Sequence, residues 1–144
     1  MEEVALNNAL ASLPHGPEFR FVDQLTRLDP GQRGAGRYCV RGEAEFLRGH
    51  FPGAPMMPGV LLVEALAQLA GVIAQADPTR QPLKDLRLTA IRGVKILGTA
   101  LPGEVIELEA KIEGRLGNLI QASGEARIGD RLIVQASLAL SGRE

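Results

Sequence analysis

Between Val60 and Gln75 the side chains are almost all Leu, Ala, Val or Ile, spread around nearly the whole circumference of a helix. A helix apolar on most sides must be buried on most sides, so the rest of the chain has to wrap it. Pro58 suits the start of such a helix, where its missing N–H costs nothing, and Asp77-Pro78 ends it. The apolar stretch is interrupted by Glu64, Gln68 and Gly71 and is too short to span a bilayer.

The wrapping material is legible downstream. Leu83 to Leu97, Glu104 to Glu113, Leu116 to Arg127 and Arg131 to Ser141 read as strands, separated by Pro102-Gly103, Gly114 and Gly129-Asp130. Charges alternate with aliphatics from Glu104 to Glu113, and Gly129-Asp130 between two alternating runs predicts a tight hairpin. Upstream, Glu2 to Leu13 predicts a short amphipathic helix ended by Pro14, and Phe19 to Leu25 predicts a strand. The turn Asp29-Pro30-Gly31 follows, and Gly36 to Glu43 predicts the strand that pairs back. Glu45 to Met57, broken by Gly and Pro, reads as a long ordered loop. These elements make an α+β chain, a strongly bent antiparallel sheet around one central helix, with one domain over 1–144.

Charge and cysteine content narrow the function classes. Sixteen basic residues face seventeen acidic ones, so nothing favours nucleic acid or an anionic membrane as a partner. One Tyr and four Phe leave little for stacking bases. A single cysteine, Cys39, excludes an intrachain disulfide framework, and its alternating surroundings suggest a small strand residue. Two histidines without suitable acidic or thiol spacing make a metal site unconvincing, and no glycine-rich phosphate loop is present. The acidic start, Met1-Glu2-Glu3, lacks a secretory pattern, so a cytoplasmic protein is expected.

The chemistry concentrates between residues 49 and 68. Glu64 is costly on an apolar helix unless it is protonated, hydrogen-bonded or facing a cavity. Gln68 at i+4 shares its face, and Gly71 at i+7 leaves room beside them. The pair suits either an acid site or a subunit interface. His50 sits in a loop stiffened by Pro52, Pro55 and Pro58, where an imidazole can be a base or a structural group. Gly59 opens the helix, where free N–H groups can hold an oxyanion; steric relief at a turn is the plainer reading. His15 has no acidic partner near in sequence and is assigned to packing or a turn.

Gly49-His50-Phe51-Pro52-Gly53, Pro55, Met57-Pro58-Gly59-Val60-Leu61 and Glu64-Ala65 with Ala67-Gln68 closely resemble the signature of the β-hydroxyacyl-acyl-carrier-protein dehydratases of type II fatty acid synthesis. Leu13-Pro14-His15, Phe19, Val22-Asp23 and Pro102-Gly103-Glu104 follow in the same order. The resemblance implies a hot-dog fold, a curved antiparallel sheet wrapped around a long central helix. It also implies a dimer or a trimer of dimers, with the loop histidine of one subunit facing the helix acid of the other. His50 would take the proton beside the thioester, Glu64 would protonate the departing 3-hydroxyl, the Gly59 amide would polarise the thioester carbonyl, and Gln68 would orient Glu64 or water. Acyl carrier protein would be the partner and no cofactor would be needed. Glutamate rather than aspartate at 64 resembles the branch that dehydrates without isomerising.

Some positions depart from that pattern. Gly16 stands where the family commonly has Arg, Glu18 replaces Pro, Arg20 replaces Leu and Gln24 replaces Arg. Lys95-Ile96-Leu97-Gly98-Thr99 replaces a more basic, aromatic strand. These changes bear on carrier docking and chain length, for which Arg20, Arg48, Arg87, Arg92 and Lys95 could compensate. The alternatives are a hot-dog thioesterase and a non-catalytic subunit that binds acyl carriers.

Overall fold

A computed structural model describes residues 2–42, 47 and 56–144. Helix α1 (Glu3–Leu10) buries Leu6, and a short 3₁₀ turn follows at Pro17–Phe19. Strands β1 (Gln24–Asp29) and β2 (Arg33–Cys39) precede the central helix α2 (Gly59–Gln75). Four strands come after it: β3 (Lys84–Ile96), β4 (Val105–Leu116), β5 (Leu119–Ile128) and β6 (Arg131–Arg143).

The six strands form one antiparallel sheet in the order β1-β2-β4-β5-β6-β3. A single row of partners crosses all six: Leu25, Gly36, Leu108, Ala126, Val134 and Ile96. On the concave side Ile106, Leu108, Ile120, Ala122, Ala126, Leu138 and Leu140 are buried, while Glu107, Glu109 and Lys111 alternate outward on β4. That period-two pattern gives the sheet one apolar face, and α2 covers it. Eleven of the seventeen residues of α2 are buried, which leaves this helix no solvent-facing side wide enough to stand alone. The pairing of β3 with β6 slips at three places, between Lys84 and Arg87, Leu88 and Ala90, and Ile91 and Gly93. Such bulges bend and twist a strand, which curls this flank of the sheet. The result is the α+β hot-dog arrangement.

Close approach of sheet and helix depends on small residues. A Cβ at Gly124 of β5 would stand 3.1 Å from Leu66 Cδ2 and 3.0 Å from the Glu109 carbonyl oxygen. Gly129, at φ +58°, makes the β5–β6 turn with Asp130, as the sequence predicts. At the far end of α2, Gln75 Nε2 donates to the Leu83 carbonyl at 2.7 Å and its Oε1 accepts from Leu83 N–H at 2.9 Å. This amide fastens the approach to β3 onto the helix.

Several boundaries differ from expectation. Helix α1 ends at Leu10 rather than Leu13, and β2 begins at Arg33 rather than Gly36 and ends at Cys39, because the ladder with β4 already starts at Arg33 and Lys111. Phe19 to Leu25 does not form one strand: Phe19 closes the 3₁₀ turn and β1 begins only at Gln24. Phe21 and Val22 are buried, but they lie across α2 rather than in the sheet ladder. Gly114 does not end its strand either; β4 continues to Leu116, and the turn falls at Gly117 with φ +61°. The expected loop from Glu45 to Met57 lies largely outside the described residues, although Met57 makes a bridge to Ala100.

Candidate active site

Glu64 lies on the second turn of α2 and is held by its neighbour one turn on. Gln68 Nε2 donates to Glu64 Oε2 at 3.0 Å and to the Phe19 carbonyl at 2.9 Å. Gln68 Oε1 accepts from Phe21 N–H at 2.9 Å. A backbone N–H only donates and a carbonyl only accepts, so these two contacts fix which end of the amide is which. The NH₂ end must therefore face Glu64. Gln68 is 2% exposed, and this three-way bonding is what makes its burial tolerable.

The expected partnership of Glu64 and Gln68 is present, and it does more than the spacing implied. The same amide takes the place of a strand partner for the Phe19–Phe21 segment. Replacing Gln68 with Leu removes the acceptor of the Phe21 N–H and the donor to the Phe19 carbonyl. Unfolding stability is expected to fall by about 1–3 kcal/mol, read from urea denaturation.

Glu64 also meets a group that the sequence did not connect to it. His15 Nε2 stands 3.4 Å from Glu64 Oε2, with the two side chains 28% and 21% exposed. His15, assigned to packing or a turn, also approaches a carboxyl: forty-nine positions apart in the chain, the imidazole and Glu64 adjoin. The ring also lies near-parallel to Phe19, with centroids 6.1 Å apart, and an edge-to-face chain continues through Phe21 to Tyr38. Burial pushes the Tyr38 phenol above its ordinary value, against the lowering influence of Arg41 nearby.

Glu64 and His15 line a cavity of about 440 Å³. Ala67, Gly71, Val72, Leu86, Leu88 and Leu140 supply its apolar lining. From Glu64 to Gln75 the helix rises about 16 Å at 1.5 Å per residue, so the space is long as well as apolar. A few polar groups facing an apolar cleft of this size are the usual composition of a small-molecule site.

Other expected residues fall as follows. Gly59 is the first residue of α2, after Pro58. A Cβ there would lie 2.7 Å from Ile96 Cδ1, so the glycine has a packing reason of its own. His50 and Arg48 lie outside the described residues. Arg20 does not extend to the surface as a docking group: its Nε donates to the His15 carbonyl at 2.7 Å and Nη2 to the Leu13 carbonyl at 2.9 Å. Arg87, Arg92 and Lys95 are exposed on β3, and Arg87 borders the cavity. Cys39 is exposed at the end of β2. Among the described residues no group of three or more His, Cys, Asp or Glu is placed to hold a metal ion. No helix among them is long and apolar enough to cross a membrane.

The sequence model of the FabA-like domain matches residues 13–137, a span that includes the whole site. The chain belongs to the FabA-like family. Among curated relatives of this FabA-like chain, the 3-hydroxyacyl-[acyl-carrier-protein] dehydratase FabZ of Chloroflexus aggregans is 33% identical over 135 residues, covering 94% of this chain and 93% of the relative. The FabZ of Alkaliphilus metalliredigens is 35% identical over 129 residues, covering 90% and 87%. Among solved structures, the dehydratase heterocomplex ApeI:P from Xenorhabdus doucetiae superposes with a TM-score of 0.78 at 15% identity, over 96% of this chain and 91% of that one. At that identity the likeness speaks for the FabA-like fold alone.

Proposed function

We propose that this chain removes water from (3R)-3-hydroxyacyl thioesters on acyl carrier protein, giving trans-2-enoyl thioesters in fatty acid biosynthesis in the cytoplasm. The observation that carries the reading is Glu64: a carboxyl on an otherwise apolar helix, held by Gln68 at 3.0 Å and lining an apolar cavity. The dehydratase names of its FabZ relatives support the reaction class. The whole chain, 1–144, acts as one unit.

The chemistry follows from the thioester. Its carbonyl acidifies the C2–H bond, and no redox or group-transfer partner is needed for elimination. His50 takes the C2 proton, and the C2–H electron pair becomes the C2–C3 double bond. The C3–O bond breaks, and Glu64 gives its proton to the departing oxygen, which leaves as water. The Gly59 amide, at the helix start, meets the charge that grows on the thioester carbonyl oxygen. Gln68 keeps Glu64 turned to the substrate.

The site closes across two copies of the chain. β3 is an edge strand of thirteen residues, with Ile91 and Ile96 more than half exposed. A long edge with exposed isoleucines invites pairing, and a second copy can cover it antiparallel. Exposed Arg87, Arg92 and Lys95 on the same strand suit an acidic carrier protein arriving at the cavity mouth.

Hydration of a crotonyl thioester, followed by loss of enoyl absorbance, tests the activity on carrier protein and on coenzyme A. Release of free acid from a 3-hydroxyacyl thioester would overturn it in favour of hydrolysis. His50→Ala and Glu64→Gln proteins, each inactive alone, test the shared site when unfolded and refolded together. Random dimers would contain intact sites amounting to about a quarter of the total, so activity should return to about that fraction. No return on mixing would place both residues of each site on one chain.

A further inference from the structure

We propose that His15 is a positioning residue for Glu64 and that Arg20 holds it in place. This rests on the dehydratase reading and extends it to two side chains that reading does not use. His15 belongs to a loop that Gly16 cannot brace, having no side chain. Arg20 supplies the brace, donating to the carbonyls of both Leu13 and His15. Stacking near Phe19 then sets the plane of the imidazole.

The proton positions follow from counting donors. His15 Nδ1 is buried and has no hydrogen-bond partner among the described residues. A bare lone pair there is less costly than an unpaired N–H, so the tautomer that fits carries its proton on Nε2. That nitrogen lies 3.4 Å from Glu64 Oε2, close to it but not aligned as a hydrogen bond. The Gln68 amide, whose orientation is fixed, donates to the same oxygen at 3.0 Å. One N–H thus bonds Oε2 and a second nitrogen lies close to it, and among the described residues Oε1 is the oxygen left to carry the transferable proton.

Once that proton goes to the departing hydroxyl, Glu64 holds a full negative charge beside one donor already bonded to it and a second 3.4 Å away. The 3.4 Å separation is longer than a good hydrogen bond and shortens as that charge develops. His15 thus acts on the transition state rather than on the bound substrate. Its loss belongs in kcat and not in KM.

The test measures kcat and KM for dehydration of a 3-hydroxybutyryl thioester on carrier protein, followed by gain of enoyl absorbance, with urea midpoints as the check on folding. His15→Ala is expected to lower kcat by roughly 10- to 100-fold, with KM within about twofold of the parent. His15→Gln keeps an N–H at the end of the side chain and should return kcat to within about fivefold of the parent. Arg20→Leu should give a kcat loss between these, because the loop loses both anchors. A His15→Ala kcat within about twofold of the parent overturns the proposal, as does a loss carried by KM or a His15→Gln protein as slow as His15→Ala. Should His15→Ala fail to fold, His15→Gln and Arg20→Leu decide by the same criteria. Glu64→Gln, run alongside, separates the two levels. If it retains parent turnover, the dehydratase reading fails and this inference with it. If it is inactive while His15→Ala is normal, only the inference fails.

Discussion

Glu64→Gln is expected to lower turnover by about 10²–10⁴-fold while the protein stays folded. The substitution preserves the shape of the side chain. Its amide oxygen can still accept from Gln68 Nε2, the contact that measures 3.0 Å in the parent. The variant loses only the ability to carry a transferable proton. A cavity collapse or a loosened helix is therefore a poor explanation for any loss, and an unchanged urea midpoint would say so directly. Stopped or strongly slowed hydration of crotonyl thioester, with substrate binding retained, is the expected result. Turnover equal to the parent would remove Glu64 from the chemistry.

The largest effect on stability is expected at Leu66. Its side chain is fully buried between α2 and the sheet, opposite the glycine of β5 that allows close approach. Leu66→Ala removes three carbons from a packed interior and leaves a cavity that helix and sheet can close only in part. The cost should be about 2–5 kcal/mol. Against a total of roughly 5–15 kcal/mol this is a large share, and Tm should fall by roughly 6–15 °C at fixed protomer concentration. A loss below about 1 kcal/mol would mean that Gly124 and its neighbours move in to fill the space.

Features set by local periodicity were legible in the sequence, and those set by distant partners were not. The central helix was readable because its apolar residues cover every side, and the β5–β6 hairpin because Gly129-Asp130 interrupts two alternating runs. Phe19 to Leu25 alternates equally well, yet no strand receives its first half; the Gln68 side chain bonds that backbone instead. Periodicity cannot tell a strand partner from an amide reaching in from a helix. Gly114 looked like a break, but a glycine with open space around it can remain in a ladder. The Glu64–Gln68 contact was readable at i+4, whereas the approach of His15 to Glu64 depends on the Arg20 brace and has no local sign. A polar stripe on an apolar helix was the only hint that a distant polar group was due. The base assigned to the other side of the reaction, His50, rests on the motif and lies outside the described residues.

The sheet order has a consequence for how the chain is made. β3 emerges from the ribosome directly after the central helix, but its neighbour in the sheet is β6, the last described strand. During synthesis a long strand with exposed isoleucines must therefore wait, unpaired, while β4 and β5 are translated. The lysines and arginines along it are then a safeguard in time as well as in space, keeping nascent chains apart until the final strand arrives.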